Sequence, residues 1–389
     1  MYKEIEEFSL PRKILNCMSE PYAEMSKHDH GFLCGLLKAK CPKKVVEIGV
    51  CAGGTTGVIM ECLSQLKCEA QVYSVDLMEN CYRRAGKRTG YLFDEVREQL
   101  DNSENHQFLL GKYYPEIADV IGGDIDFLVL DTVHSLPGEF FDFLAALPYL
   151  KDEAVVVLHD VSLNLYNGAK YGADCTRILL SCVCSDKKYY NFSSMEAGCL
   201  PNIGAFIVDA STRENILNVF QTMSLSWDYM PGKVELDIYT NHFQRYYDGN
   251  AMNLWKRIIT MQRFRKHEES INQRYADMDE HMIEQSLVES CMNKKYVFLY
   301  GAGEIGKKLE KRLESQGVAV SGFVVSDAIS IETDRQCTIP VGHLSDVLNL
   351  TDEENRILVL ATVRDEIAID LILEGISFVS LPKKYLKKL

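Results

Sequence analysis

No stretch of this chain approaches the ~18 consecutive apolar residues that span a bilayer, and the opening segment Met1 to Leu10 has no apolar core of secretory-leader type. Neither a membrane span nor a cleaved leader is expected, and the reading is a cytoplasmic protein. A concentrated basic surface is lacking too. With a formal net charge of −14, the chain offers little to a phosphate backbone, so nucleic acid is not an expected partner. The 13 cysteines show no paired zinc spacing, and their odd number argues against a complete disulfide framework. Several lie in apolar runs such as Leu179 to Cys184, where cysteine packs as a small hydrophobe; a soft-metal site at Cys182 and Cys184 is the alternative. Long low-complexity tracts and short-period repeats are also missing.

What is present is a chain of 389 residues, 47% hydrophobic and 25% charged, too long for one core and of ordinary globular composition. Two domains with connecting structure are expected. Residues 21–40 carry Phe32, Leu33, Leu36 and Leu37 at helical spacing. Apolar runs at Val45–Val50, Gln71–Asp76, Gln107–Gly111, Phe127–Thr132 and Ala154–Asp160 read as strands. Helix-length segments at Thr55–Leu66, Tyr91–Leu100, Tyr114–Ile121 and Glu139–Leu150 separate them. This alternation predicts a doubly wound parallel α/β sheet. Tyr189–Ser193 and Gly204–Asp209 bring the count to seven strands and end a first domain near residue 210.

From 211 to 292 the sequence turns aromatic and charged, with Trp227, Tyr229, Tyr239, Phe243, Tyr246, Tyr247 and Trp255. Its first half is too apolar for a disordered linker. A helical connector packed on the sheet or on a second subunit of a homo-oligomer is expected, with a lid over an acceptor pocket as the sharper reading. A second, smaller Rossmann-like α/β domain is expected over 293–389. There Tyr296-Val-Phe-Leu-Tyr runs into Gly301-x-Gly303-x-x-Gly306, a helix follows to Gln316, and a strand Val318–Val325 leads to Asp327. NAD on these glycines with Asp327 at a ribose, a nucleotide-sugar phosphate at the helix N-terminus, or a fold serving packing alone are the open readings.

The chemistry is expected around Val45–Thr56. A strand ends in Glu47-Ile-Gly49-Val-Cys-Ala-Gly53-Gly54-Thr55, and an acid, Asp76, closes the next strand. Glycines let the backbone turn sharply and approach a ligand, and Asp76 can accept from ribose hydroxyls, so a nucleoside cofactor at the C-terminal sheet edge is implied. The bland reading is an ordinary glycine-rich turn. Two further strand ends carry Asp131-Thr-Val-His134 and His159-Asp160. Neighbouring strands lie ~5 Å apart, so Asp131, His159 and Asp160 could converge on a divalent ion, Mg²⁺ or Mn²⁺ by donor type. His134 would then be the general base. The bland readings are that an Asp at a strand end caps the next helix and that a lone His is a satisfied surface or core residue.

The turn has the form E-x-G-x-x-x-G and resembles that of class I S-adenosylmethionine (SAM) methyltransferases. The first 210 residues are similar to cation-dependent small-molecule O-methyltransferases of the catechol, caffeoyl-coenzyme A and macrocin types. That resemblance implies a seven-stranded methyltransferase sheet. It implies SAM near Met25, Ser26, Glu47, Gly49, Gly53, Thr55 and Asp76, a metal at Asp131, His159 and Asp160, and His134 as base, with Asp131 also at the reacting centre. His159 stands where those families place a carboxylate. The C-terminal unit resembles Rossmann-like domains of polysaccharide- and nucleotide-sugar-modifying enzymes. The implied activity is methyl transfer to a hydroxyl of a small polar acceptor such as a sugar or nucleotide-sugar. An NAD-dependent oxidoreductase and a non-catalytic nucleotide-binding protein are the rivals.

Overall fold

The computed structural model describes residues 2–3, 5–6, 8, 13–20, 22–23, 25–166, 174–191, 200–331 and 339–389. The chain divides into a unit of Met1–Lys256 and a unit of Arg257–Leu389.

The first unit holds strands β1 (Tyr2–Lys3), β2 (Lys44–Ile48), β3 (Gln71–Asp76), β4 (His106–Leu110), β5 (Ile125–Leu130), β6 (Leu150–His159), β7 (Lys188–Tyr190) and β8 (Ile203–Ile207). They form one sheet in the order β1-β7-β8-β6-β5-β2-β3-β4. Only β8 runs against its neighbours, β6 and β7. All seven expected strands are present, with the two-residue β1 added at the edge. Residues 192 and 193 of the expected strand Tyr189–Ser193 lie outside the described residues. Every residue of β5 is buried, as a strand covered on both faces requires.

Helices cover both faces. Lys27–Lys40 starts at residue 27 rather than 21 because Ser26 and Asp29 form a reciprocal capping box that fixes its first turn. Its apolar face, Leu33, Leu36 and Leu37, packs with Ile59 and Leu63 of helix Gly54–Gln65 and with Val45 and Val72 of the sheet. Among these elements a disulfide joins Cys41 to Cys68. Elsewhere, Phe141 of helix Gly138–Ala146 is packed by Tyr239, Trp255 and Trp227, with ring centroids 4.8, 5.2 and 5.7 Å away. Such aromatic pairs add about 0.5–1.5 kcal/mol each beyond area burial. This cluster is what the aromatic stretch after residue 210 builds, with Tyr239 from helix Lys233–Tyr246, Trp255 from helix Gly249–Arg274 and Trp227 from the segment between helices Ile216–Thr222 and Lys233–Tyr246.

The second unit holds β9 (Tyr296–Tyr300), β10 (Gly322–Val325), β11 (Val341–His343), β12 (Arg356–Leu360) and β13 (Val379–Ser380). All pairings are parallel and the order is β11-β10-β9-β12-β13. Its core gathers Leu299, Leu309, Leu313, Phe323 and Val359. Val341–His343 forms the edge strand beside β10. Among the described residues no helix is long and apolar enough to cross a membrane.

Candidate active site

The chain winds outward from β2 through β3 to β4 and then returns to the other side of β2 with β5. The strand order therefore reverses between β2 and β5, and a crevice opens beyond their C-terminal ends, where ligands bind in open α/β sheets. Gly49 follows β2, Asp131 follows β5 and Asp160 follows β6. Together they help line a cavity of about 440 Å³.

The glycine turn forms one wall. Gly49 has φ +98°, and a Cβ there would stand 1.8 Å from the Asp131 carbonyl oxygen, so only glycine fits. Asp76 braces the turn: its Oδ2 accepts from the backbone N–H groups of Val50 and Cys51 at 2.9 and 3.1 Å, and its Oδ1 from Met78 at 2.8 Å. Thr55, buried at the start of its helix, lines the cavity with a hydroxyl that has no partner. Leu77, Met78 and Tyr82 line it with exposed apolar surface.

Four residues expected at the cofactor do not line this cavity. Glu47 is buried beneath the turn, where its Oε2 accepts from Thr56 Oγ1 at 2.6 Å and Ser74 Oγ at 2.7 Å. Burial pushes its carboxyl up to about 7 despite these bonds. Gly53 is not in the cavity wall; a Cβ there would meet Gly90 Cα at 2.9 Å, so its role is close packing. Met25 belongs to the hydrophobic core and Ser26 caps its helix; neither lines the cavity.

Asp131, His134 and Asp160 converge, each offering a ligand atom within 4.8 Å of the others. The Nε2 of His134 lies 3.1 Å from Asp160 Oδ2 and 3.7 Å from Asp131 Oδ1. Its Nδ1 is 3.1 Å from Oε1 of the buried Glu139. Burial alone would depress the imidazolium, but the Glu139 hydrogen bond and the charges of Glu139, Asp131 and Asp160 raise it to about 9.

Of the expected metal triad, Asp131 and Asp160 line the cavity and His159 does not. His159 is buried behind it, 3.2 Å from Asp131 Oδ1, 3.6 Å from Asp160 Oδ2 and 3.8 Å from Asp29 Oδ2. Burial opposes its charge, yet these carboxylates hold its pKa well above the ordinary value. It is a buried cation among acids, and the imidazole facing the cavity is His134. Burial likewise works against the charge of Asp131, but His159 and then His134 hold its carboxyl below the usual range.

The rest of the wall was not legible as a site. Asp142, Tyr113, Tyr114, Tyr229, Glu235 and Tyr239 all line the cavity. Of these, only Tyr229 and Tyr239 stood out in the sequence, as part of an aromatic segment. Asp142 lies within helix Gly138–Ala146, and nothing in its spacing from Asp131 marks it.

In the second unit, Gly301 has φ +125° and a Cβ on Gly306 would stand 1.9 Å from the Gly301 carbonyl oxygen. Gly303 caps helix Glu304–Ser315. Asp327 accepts from Ser345 N and Oγ. Among the described residues, the metal-capable group of three or more such side chains is the one at Asp131, so Cys182 and Cys184 build no such group.

Residues 46–161 match a family model described as a methyltransferase domain. No curated protein matches the chain. Solved structures with a similar fold include cofactor-bound Rv0187 from MTB, at 14% identity and TM-score 0.36, covering 50% of this chain and 86% of that one. The O-methyltransferase TomG from Streptomyces achromogenes, solved with SAM, shares 14% identity at TM-score 0.34, with 50% and 88% covered. An O-methyltransferase from Bacillus cereus, solved with SAH, shares 14% at TM-score 0.35, with 51% and 87% covered. Likeness at this level carries nothing about the acceptor. The matched span runs from within β2 to just past Asp160 and so encloses the crevice. The part of this chain that builds the crevice is therefore the part that is similar to a methyltransferase domain.

Proposed function

We propose that this domain transfers a methyl group from SAM to a hydroxyl of a small polar acceptor of sugar or nucleotide-sugar type, with Mg²⁺ or Mn²⁺ at the acceptor end. The observation that carries the reading is one cavity whose walls are the braced turn at Gly49–Cys51 and the convergent Asp131, His134 and Asp160. The residues fit both groups. The apolar surface of Leu77, Met78 and Tyr82 suits a purine face, and the unpartnered Thr55 hydroxyl is available to a polar ligand. The carboxylates of Asp131 and Asp160 suit a hard divalent cation.

SAM supplies an electrophilic methyl on a sulfonium. A divalent ion, when bound, lowers the pKa of a coordinated hydroxyl. Asp131 and Asp160 would hold the ion and orient the acceptor. His134 would take the proton at Nε2, because Nδ1 is committed to Glu139. Its raised pKa reflects the surrounding carboxylates, so offsetting the charge of Asp131 and Asp160 brings it toward a range useful at neutral pH. His159 would keep the two carboxylates apart from each other's charge rather than bind the ion.

For the second unit we propose a role in recognition or assembly. A dinucleotide is not assigned there, because Gly306 is accounted for by close packing and Asp327 is engaged by Ser345. The test is SAM-dependent methyl transfer across a panel of sugars and nucleotide sugars, with and without chelator. Loss of turnover on metal removal and its return with Mg²⁺ or Mn²⁺ is expected. Unchanged turnover after complete removal eliminates the metal, and absence of SAM binding by calorimetry eliminates the whole reading.

A further inference from the structure

One end of the same cavity has a chemistry that methyl transfer does not require. Asp142 and Glu235 both line it, and so do three tyrosine rings, Tyr113, Tyr229 and Tyr239. The two oxygens of Asp142 accept only from neutral hydroxyls, Tyr239 at 2.7 Å and Thr132 at 3.0 Å. Among the described residues neither carboxylate pairs with a lysine or arginine. The cations in the cavity wall are engaged elsewhere: Lys112 lies 3.6 Å from Glu116, Arg83 packs over the rings of Tyr82 and Tyr22, and His134 lies among Glu139, Asp160 and Asp131. A second observation points the same way. Tyr114 is buried in this wall, and among the described residues its hydroxyl has no hydrogen-bond partner.

Two cavity-lining carboxylates that no lysine or arginine of the described residues pairs with, walled by aromatic faces, form the arrangement that recognises an organic ammonium. The charge meets the acids, and the carbon around it meets the rings. Resting on the reading of this cavity as a methyl-transfer site, we propose that the acceptor carries a protonated primary amine bound between Asp142 and Glu235, and so is an amino sugar or a related polyhydroxylated amino alcohol. The side chain of Thr132 ties Asp142 to the residue next to Asp131. The amine and the reacting hydroxyl therefore belong to neighbouring parts of one small molecule. Burial also pushes Asp142 up to about 6 and raises Glu235, as expected of acids whose counter-ion arrives with the ligand.

The experiment is calorimetric titration of the full-length protein with glucosamine, galactosamine and mannosamine beside their hydroxyl twins glucose, galactose and mannose. At least one amino sugar should bind about tenfold or more tightly than its twin, and E235Q and D142N should each bring that ratio toward one. E235Q substitutes a half-exposed side chain, so it keeps the test valid if D142N folds poorly. Equal binding within every pair, no binding of any amino sugar, or a preference that survives E235Q and any folded D142N overturns the proposal. Absence of SAM binding with the amine preference intact would sink methyl transfer instead. SAM-dependent turnover of sugars with no amine preference would sink this subsite alone.

Discussion

Nδ1 of His134 stands 3.1 Å from Oε1 of Glu139, a carboxylate closed off from solvent. That contact fixes which imidazole nitrogen faces the cavity and keeps the ring charged. In protein prepared without divalent ions, an NMR titration of His134 should give a midpoint near 9. E139Q should lower it by about one unit or more. Because the folded pKa is raised, the stability this ring contributes is full below about 6.5 and is lost as pH rises through about 9. A midpoint near 6.5 in the wild type would refute the assignment.

Glu47 predicts a second pH effect in a different window. Its folded pKa is raised from 4.5 to about 7, so the folded state holds the proton longer and stability falls as pH rises between those values. E47Q should abolish that slope. The difference in unfolding free energy between wild type and E47Q should move against the wild type by on the order of 2 kcal/mol from pH ~4.5 to pH ~7.5. Parallel denaturant curves at both pH values, giving the same difference, would show that Glu47 titrates normally.

Asp76 holds the turn through two backbone amides. D76N weakens both bonds without changing volume, and SAM affinity should drop roughly tenfold or more. Calorimetry with SAM on purified D76N provides the check; an unchanged Kd would mean the turn needs no brace.

Removing His159 leaves Asp29 and Asp131 without the cation between them. H159A should cost about 3 kcal/mol of stability, because a buried charge left unpaired is more costly than the pair was valuable. Thermal unfolding within a degree of the wild type would contradict the buried-cation assignment.

Much of this was legible in the sequence. Strand positions followed from apolar runs such as Phe127–Thr132, and adjacency of β5 and β6 put Asp131 beside Asp160 as spacing suggested. The sequence could not separate His159 from His134, because a strand's last side chain points to the face its register dictates, and one residue decides core or cavity. Glu47 was hidden for a related reason. Its two hydroxyl partners, Thr56 and Ser74, come from separate elements, and no local pattern announces them. The wall of Asp142, Tyr229, Glu235 and Tyr239 is assembled from two helices and a loop whose meeting only the tertiary packing sets.

The Asp131 carbonyl fills the space a side chain on residue 49 would need. On the proposed function, donor turn and acceptor carboxylate thus share a single rigid joint, and neither can drift without dragging the other. Selection for a new acceptor would find this hinge point closed to it, and variation should accumulate on the far wall, where helix Lys233–Tyr246 can change its lining while the methyl donor's seat stays in place.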